Sequence, residues 1–129
     1  MKKYKYVYVA GPYAKPDPVT NTRNAVMVAE KLVDIGLIPF VPHLTHLWHL
    51  ISPHEVNYWL GYDIWWLKQC EVLVRIVGDS DGADKEVVLA LELGLPIFYV
   101  EVGDTLDIIS ENGMTFATLE RMARGRWSV

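Results

Sequence analysis

Cysteine is nearly absent: the chain carries one, Cys70, so no internal disulfide braces the fold and apolar burial has to hold it together. A long apolar run is missing as well. No stretch approaches the roughly 20 consecutive apolar residues a membrane-spanning helix needs, and no secretory leader precedes the first apolar run. A soluble, cytoplasmic protein without a membrane partner is expected. Positive charge is in deficit, 12 Lys and Arg against 16 Asp and Glu for a formal net charge of −4. The basic residues gather only weakly, at Arg121, Arg124 and Arg126, which leaves no field for a polynucleotide or an anionic bilayer. Linkers and low-complexity segments are also lacking, so the 129 residues read as one domain, 1–129, with a single core. Disorder is excluded by a composition of 51% hydrophobic and 22% charged residues, which is that of an ordinary globular chain.

The runs that are present alternate between strand and helix character. Tyr4 to Ala10 is apolar and β-branched and is closed by Gly11-Pro12, which marks a first, central strand. The turn Gly11-Pro12-Tyr13-Ala14 lacks the later glycines and the downstream acid of a dinucleotide-binding fingerprint, so NAD is disfavoured and no cofactor is indicated. Asp17-Pro18 offers an N-cap with proline at the first helical position, Ala25, Val26, Ala29, Leu32 and Val33 recur at helical spacing, and Gly36 ends the pattern. Leu37 to Val41 is a second strand whose Pro39 suits an edge. The segment Pro42 to Pro53 reads as an apolar, proline-bounded loop holding His43, His46 and His49, with His54 just beyond. Imidazoles at such spacing raise the question of zinc. No cysteine pair or further donor set accompanies them, so no metal is expected, and the loop is read as a cover over a site with His43 nearest to it.

His54 to Gln69 has the pattern of a helix crowded with Tyr58, Trp59, Tyr62, Trp65 and Trp66. So much apolar surface implies burial on two sides, against the sheet and against another copy of the chain; five Trp and seven Tyr exceed what a small core absorbs, and a homo-oligomer is expected. Asp63 interrupts this helix, as either a solvated residue or a carboxylate held in a pocket. Val72 to Val77 is a third strand, Val87 to Leu93 lies in a helix, and Leu95 to Val100 is a fourth strand. A weak segment near Thr105 to Ser110 and a last helix from Thr115 to Arg124 complete the reading. The order of elements gives an α/β fold, a three-layer flavodoxin- or Rossmann-like parallel sheet with strand order 2-1-3-4 and helices on both faces. Ligands of such sheets bind at the carboxyl ends of the strands where the winding reverses, which brings Gly11-Pro12-Tyr13 beside Ser80 to Glu86.

That second stretch, Gly78-Asp79-Ser80-Asp81-Gly82-Ala83-Asp84-Lys85-Glu86, joins strand three to a helix. Unpaired backbone N–H groups at the helix start favour an anion or an oxygen-rich ligand, and Glu86 falls about one turn from Gly82 on the same face. The same residues also fit a plainer duty, with Asp81 as N-cap and Asp84 and Glu86 as acids complementing the helix dipole.

Three motifs in order, Val9-Ala10-Gly11-Pro12-Tyr13, Asp63 with Trp66-Leu67 and Cys70-Glu71-Val72-Leu73-Val74, and Ser80-x-Gly82-x-x-x-Glu86, resemble those of the nucleoside 2-deoxyribosyltransferase superfamily, which includes 2′-deoxynucleoside 5′-phosphate N-hydrolases. The resemblance reaches as far as strand four and leaves the tail uncovered. It implies Glu86 as a nucleophile at C1′, Asp63 as an assisting group and Tyr13 as a residue that positions the sugar or the nucleophile; the residues themselves add Gly11, Pro12 and His43 around the substrate, with Ser80 and the amides near Gly82 holding a ribose hydroxyl or a 5′-phosphate. In chemical terms a carboxylate traps the oxocarbenium-like centre of a breaking N-glycosidic bond; the helix N-terminus is expected to lower the pKa of Glu86, and the aromatic setting of Asp63 to raise that of the proton donor. Water as acceptor gives hydrolysis, and a second base gives transfer. Asp79, Asp81 and Asp84 repel a phosphate unless Lys85, Arg75 or Arg23 offsets them, so nucleoside and 5′-monophosphate both stand as substrates. The resemblance also implies that a neighbouring subunit's tail, here Gly125 to Val129, completes the site. The alternative is a non-catalytic nucleoside- or nucleotide-binding module of the same fold.

Overall fold

Five short strands form one sheet in the order β2-β1-β3-β4-β5, in a computed structural model that describes residues 5–102 and 106–110. The strands are β1 (Tyr6–Ala10), β2 (Ile38–Phe40), β3 (Val72–Ile76), β4 (Ile97–Val102) and β5 (Leu106–Ser110), and the helices are α1 (Pro18–Asp34), α2 (Thr45–Ile51), α3 (Val56–Gln69) and α4 (Asp81–Glu92). The first four strands run parallel, with Val9 opposite Val74 and Val74 opposite Phe98, as the order 2-1-3-4 requires. The weak segment after Val102 is a fifth strand, antiparallel to β4 with Tyr99 opposite Ile109. Only residues 103–105 separate β4 from β5. That is too short for the helical crossover a parallel partner needs, so the chain turns back on itself. The expected helix Thr115 to Arg124 and the tail Gly125 to Val129 lie outside the described residues.

Strand alternation sorts the core into two layers. Val7, Val9, Val72 and Val74 face α1, where Ala25, Val28 and Leu32 meet them. Tyr8, Ala10 and Leu73 face the other way, toward Leu67 of α3 and Ala83 and Ala90 of α4. β3 is buried along its whole length, the property of a central parallel strand covered on both faces. α1 begins where the sequence places it: Asp17 accepts the Thr20 N–H at 3.0 Å, and Gly36 follows the helix with φ 93°.

The segment Pro42 to Pro53 is not a loop. A 3₁₀ turn at Pro42–Leu44 leads into α2, with the Thr45 hydroxyl donating to the Pro42 carbonyl at 2.8 Å. The prolines bracket this helix from outside, and the stretch between them, Thr45-His46-Leu47-Trp48-His49-Leu50-Ile51, holds no glycine or proline to break it. Among the described residues no helix is long and apolar enough to cross a membrane.

The loops after β1 and β3 meet at the carboxyl edge. Gly78 has φ +140°, and a Cβ there would lie 2.6 Å from Pro12 Cγ. Arg75, inside β3 and 5% exposed, donates from Nη1 to the Ile76 carbonyl and from Nη2 to the Gly78 carbonyl and Asp84 Oδ1, both at 2.9 Å. One buried cation thereby ties the turn to the start of α4. Gly78→Ala combines a left-handed φ with a clash against a rigid ring, and a loss of about 1–3 kcal/mol is expected, read as a lowered thermal midpoint. An unchanged midpoint would refute the close approach of the two loops.

Candidate active site

A cavity of about 770 Å³ opens between the residues that follow β1 and β3 and runs along α3 and α4 beneath the turn that enters α2. Such a volume lies within the usual range for small-molecule sites. Gly11, Tyr13, His43, Asp63, Ser80, Gly82 and Glu86 all line it, so the 3₁₀ turn before α2, the helices α3 and α4, and both loops each deliver part of the sequence-derived set. Pro12 does not line it. The Pro12 ring faces Gly78, and its carbonyl accepts a hydrogen bond from His43 Nε2 at 2.8 Å.

Glu86 stands six residues into α4, counting from Asp81. That position lies beyond the first turn, where the helix dipole is felt, so the dipole does not hold its pKa down. Burial dominates and pushes it up to about 7. The Tyr8 hydroxyl donates to Glu86 Oε2 and works against that rise, as does the positive Arg75, while the charge of Asp63 adds to it. Asp63 on α3 is likewise pushed up to about 7 by burial, and its Oδ1 is buried without a hydrogen-bond partner. Two carboxyl groups that repel each other and titrate together hold one proton between them near neutrality. Burial dominates at both, but the remaining influences differ. Glu86 has a hydroxyl donor and a cation that favour its charged form, whereas only desolvation acts on Asp63, favouring its neutral form.

Tyr8, the hydrogen-bond partner of Glu86, is the residue that sequence reasoning passed over. It is fully buried in β1, and burial, followed by the charges of Glu86 and Asp63, pushes its hydroxyl pKa well above the ordinary value, so it remains a donor. The signal lay in the run Val7-Tyr8-Val9, where a polar tip on a central strand must find a partner on the α3/α4 side. Of the two alternatives the resemblance implies for Tyr13, the sugar or the nucleophile, the contact with Glu86 is made by Tyr8. Tyr13 instead sets its ring against His43 and His46, with centroids at 5.9 and 5.1 Å, while its buried hydroxyl has no partner. Replacing Tyr8 by Phe removes the donor that steadies the Glu86 carboxylate. The Glu86 pKa is expected to rise, read by ¹³C NMR titration of the glutamate side chains, and an unmoved titration would show that the hydroxyl does not act on the carboxylate.

Ser80, not Asp81, is the N-cap of α4: its Oγ accepts the Ala83 N–H at 3.1 Å, which leaves the hydroxyl hydrogen unused by that bond. Gly82 has nothing within 4 Å of where a Cβ would stand, whereas a Cβ on Gly11 would come within 3.0 Å of Ile76 Cβ. Gly82 thus leaves open space at the cavity wall, and Gly11 permits close packing of β1 against β3.

The histidines form a ring-lined wall. His43 is 6% exposed; the Pro12 carbonyl fixes its proton on Nε2, and its Nδ1 has no partner. Burial lowers its pKa, so the ring is neutral. His49 Nδ1 accepts from Trp59 Nε1 at 2.8 Å and from the His54 N–H at 3.2 Å. Trp59 is therefore a partner of the wall and not an outward-facing residue. Among the described residues no three His, Cys, Asp or Glu side chains are grouped so as to hold a metal ion.

Residues 5–100 match a family described as Domain of unknown function (DUF7768). No curated protein matches the chain. Among solved structures, a 2-deoxyribosyltransferase from Bacillus psychrosaccharolyticus is similar with a TM-score of 0.57 and 18% identity over 88% of this chain and 79% of that one. A 2-desoxiribosyltransferase from Leishmania mexicana has a TM-score of 0.57 and 17% identity, over 77% of this chain and 65% of that one. At such identities the likeness is one of fold.

Proposed function

The chain belongs to the DUF7768 family, whose description assigns no reaction, and from its cavity we propose that it cleaves the N-glycosidic bond of a nucleoside or nucleotide through Glu86. The observation that carries this reading is the pair Glu86 and Asp63, two carboxyl groups in one cavity, both pushed up to about 7 by burial, of which Glu86 also has a hydroxyl donor and a cation that favour its charged form. The ionised Glu86 attacks C1′ as the C1′–N bond breaks, and Asp63 delivers its proton to the departing base. Asp63, now a carboxylate, takes a proton from water or from an incoming base, whose nucleophilic atom displaces Glu86 from C1′. Tyr8 holds Glu86 in place; Ser80 and the backbone near Gly82 hold sugar hydroxyls, and Tyr13 and His43 face the ligand. The fold shared with deoxyribosyltransferases supports the same reading. The test is incubation with a panel of nucleosides and 5′-monophosphates, read by chromatography. Free base identifies a hydrolase, and base exchange in the presence of a second base identifies a transferase. Binding without release from any member would make the chain a binding module.

A homo-oligomer is part of the proposal. On α3, Trp65 is 62% exposed and Trp66 44%, and Leu60, Tyr58, Leu47 and Trp48 extend the apolar surface across α3 and α2. Patches of this kind are rarely left to water. Sedimentation at micromolar concentration is expected to show a dimer or larger, and a monomer there would rule out a stable interface.

A further inference from the structure

Resting on the N-glycosidase reading, we propose that the preferred substrate carries an aromatic or other bulky apolar substituent on its base, received between α2 and the first two turns of α3, where Trp59 and Val56 determine specificity. The cavity of about 770 Å³ stands in the upper part of the usual range of ~300–1,000 Å³, which serves drug-sized ligands. A plain nucleoside is smaller. The surplus has a definite character. Among the described residues, the buried side-chain atoms without a partner are Tyr13 Oη, His43 Nδ1 and Asp63 Oδ1, which come from the loop after β1, the 3₁₀ turn and the middle of α3. The wall that α2 and the start of α3 build is different. Thr45, His46, His49, Val56, Trp59 and Leu60 line it, and its polar atoms are spent mostly on one another.

The Thr45 hydroxyl donates to the Pro42 carbonyl at 2.8 Å. Trp59 Nε1 donates to His49 Nδ1 at 2.8 Å, and the His54 N–H donates to the same nitrogen at 3.2 Å. A ring nitrogen that accepts carries no proton, so the neutral His49 ring keeps its proton on Nε2 as a single remaining donor. No Asp, Glu, Lys or Arg occurs in α2. What this wall offers a ligand is therefore rings and aliphatic side chains, which gain from apolar burial and aromatic contact. The indole is also held ready: the rings of Trp48 and His54 stand nearly perpendicular to it, with centroids at 5.6 and 5.5 Å, so little ordering is left for the ligand to impose. The helical period places the wall beside the chemistry. Trp59 and Leu60 precede Asp63 by one turn of α3, and Val56 precedes it by two, on the same face. A base that takes its proton from Asp63 lies within a turn of Trp59, and a substituent on that base reaches toward Val56.

The experiment is titration calorimetry of 2′-deoxyadenosine and 2′-deoxycytidine, each with and without a benzyl group on the exocyclic amine, against Glu86→Gln, which binds without turnover, and against the same protein carrying Trp59→Ala or Val56→Asp. At least one benzylated nucleoside is expected to bind about tenfold or more tightly than its parent, an effect that burial of one aryl group supports. That ratio should shrink several-fold with either second substitution. Val56 is exposed and opens α3, where an acid suits the helix start, so Val56→Asp keeps the fold and decides the matter if Trp59→Ala does not fold. Benzylated nucleosides that bind no more tightly than their parents, or a ratio that Val56→Asp leaves unmoved, overturn the inference, and base release from the plain nucleosides then leaves the N-glycosidase reading in place. A benzyl preference with no base release by the unsubstituted protein from any of the four defeats the reading and leaves the apolar subsite standing. Absence of binding by every probe defeats both.

Discussion

Glu86→Gln is expected to lower single-turnover base release by about 10³-fold or more while changing ligand affinity little, because the substitution keeps shape and hydrogen-bonding capacity but removes the charge that meets the cationic centre. The effect falls on the chemical step, where that charge is needed, and not on ground-state binding. Stability gives an independent check with a definite sign. Burial raises the Glu86 pKa from its ordinary 4.5 to about 7. The folded state therefore holds the proton more tightly than the unfolded state, and the resulting stability is fully present below the unfolded value and lost as pH rises through about 7. Glutamine does not ionise, so at pH 8 the variant is expected to match or exceed the parent, by on the order of 1–3 kcal/mol. A residue that merely complemented the α4 dipole would behave oppositely, costing about 0.3–1 kcal/mol on neutralisation. Equal release rates in the two proteins would remove Glu86 from the chemistry.

For Asp63→Asn the expected result is a pH–rate profile that loses its alkaline limb. With both carboxyl groups near 7, the parent is most active when one proton is shared between them, with Glu86 charged and Asp63 neutral, and activity falls on either side of neutrality. Asparagine cannot deliver a proton, so release of bases that need protonation drops by about 10²–10⁴-fold. Removing the Asp63 charge also removes a repulsion that raises Glu86, so the remaining acid limb moves to lower pH. Stability follows the same sign as for Glu86: the contribution of Asp63 is present below its ordinary 3.8 and lost as pH rises through about 7. Thermal midpoints from pH 5 to 8 should fall less steeply in either variant than in the parent, and least steeply in the double variant. Asp17, whose pKa bonds from Thr20 lower, titrates below this range and adds no slope to it. A retained alkaline limb in Asp63→Asn would assign the proton to another donor.

Much of the architecture is written in local chemistry. β-Branched runs such as Val72-Leu73-Val74 form strands whose alternation reaches both core layers. The Asp17-Pro18 cap and Gly36 bound α1 because capping and a left-handed φ involve only near neighbours. Right-handed crossovers between successive strands then leave few arrangements other than 2-1-3-4. That order alone carries the loops after β1 and β3 to one edge and brings Tyr13, Asp63 and Glu86 to one cavity.

Tertiary structure decided what depends on distant partners. Pro42 and Pro53 are compatible with either a loop or a bracketed helix, and α2 sets Trp48 and His49 against Trp59 of α3. Tyr8 and Glu86 are separated by 78 positions in the chain, beyond any spacing rule. Arg75 was readable as half of an ion pair, but the choice of Asp84 followed from the turn folding back beside β3. The direction of the Glu86 pKa reversed the dipole expectation, because a helix terminus acts over one turn, whereas desolvation is imposed by whatever else the fold brings around the carboxyl group. Residue identities and their periods determined which acids stand at the carboxyl edge of the sheet. Burial, which exists only once the helices have closed around them, pushed the pKa values of both Glu86 and Asp63 up to about 7.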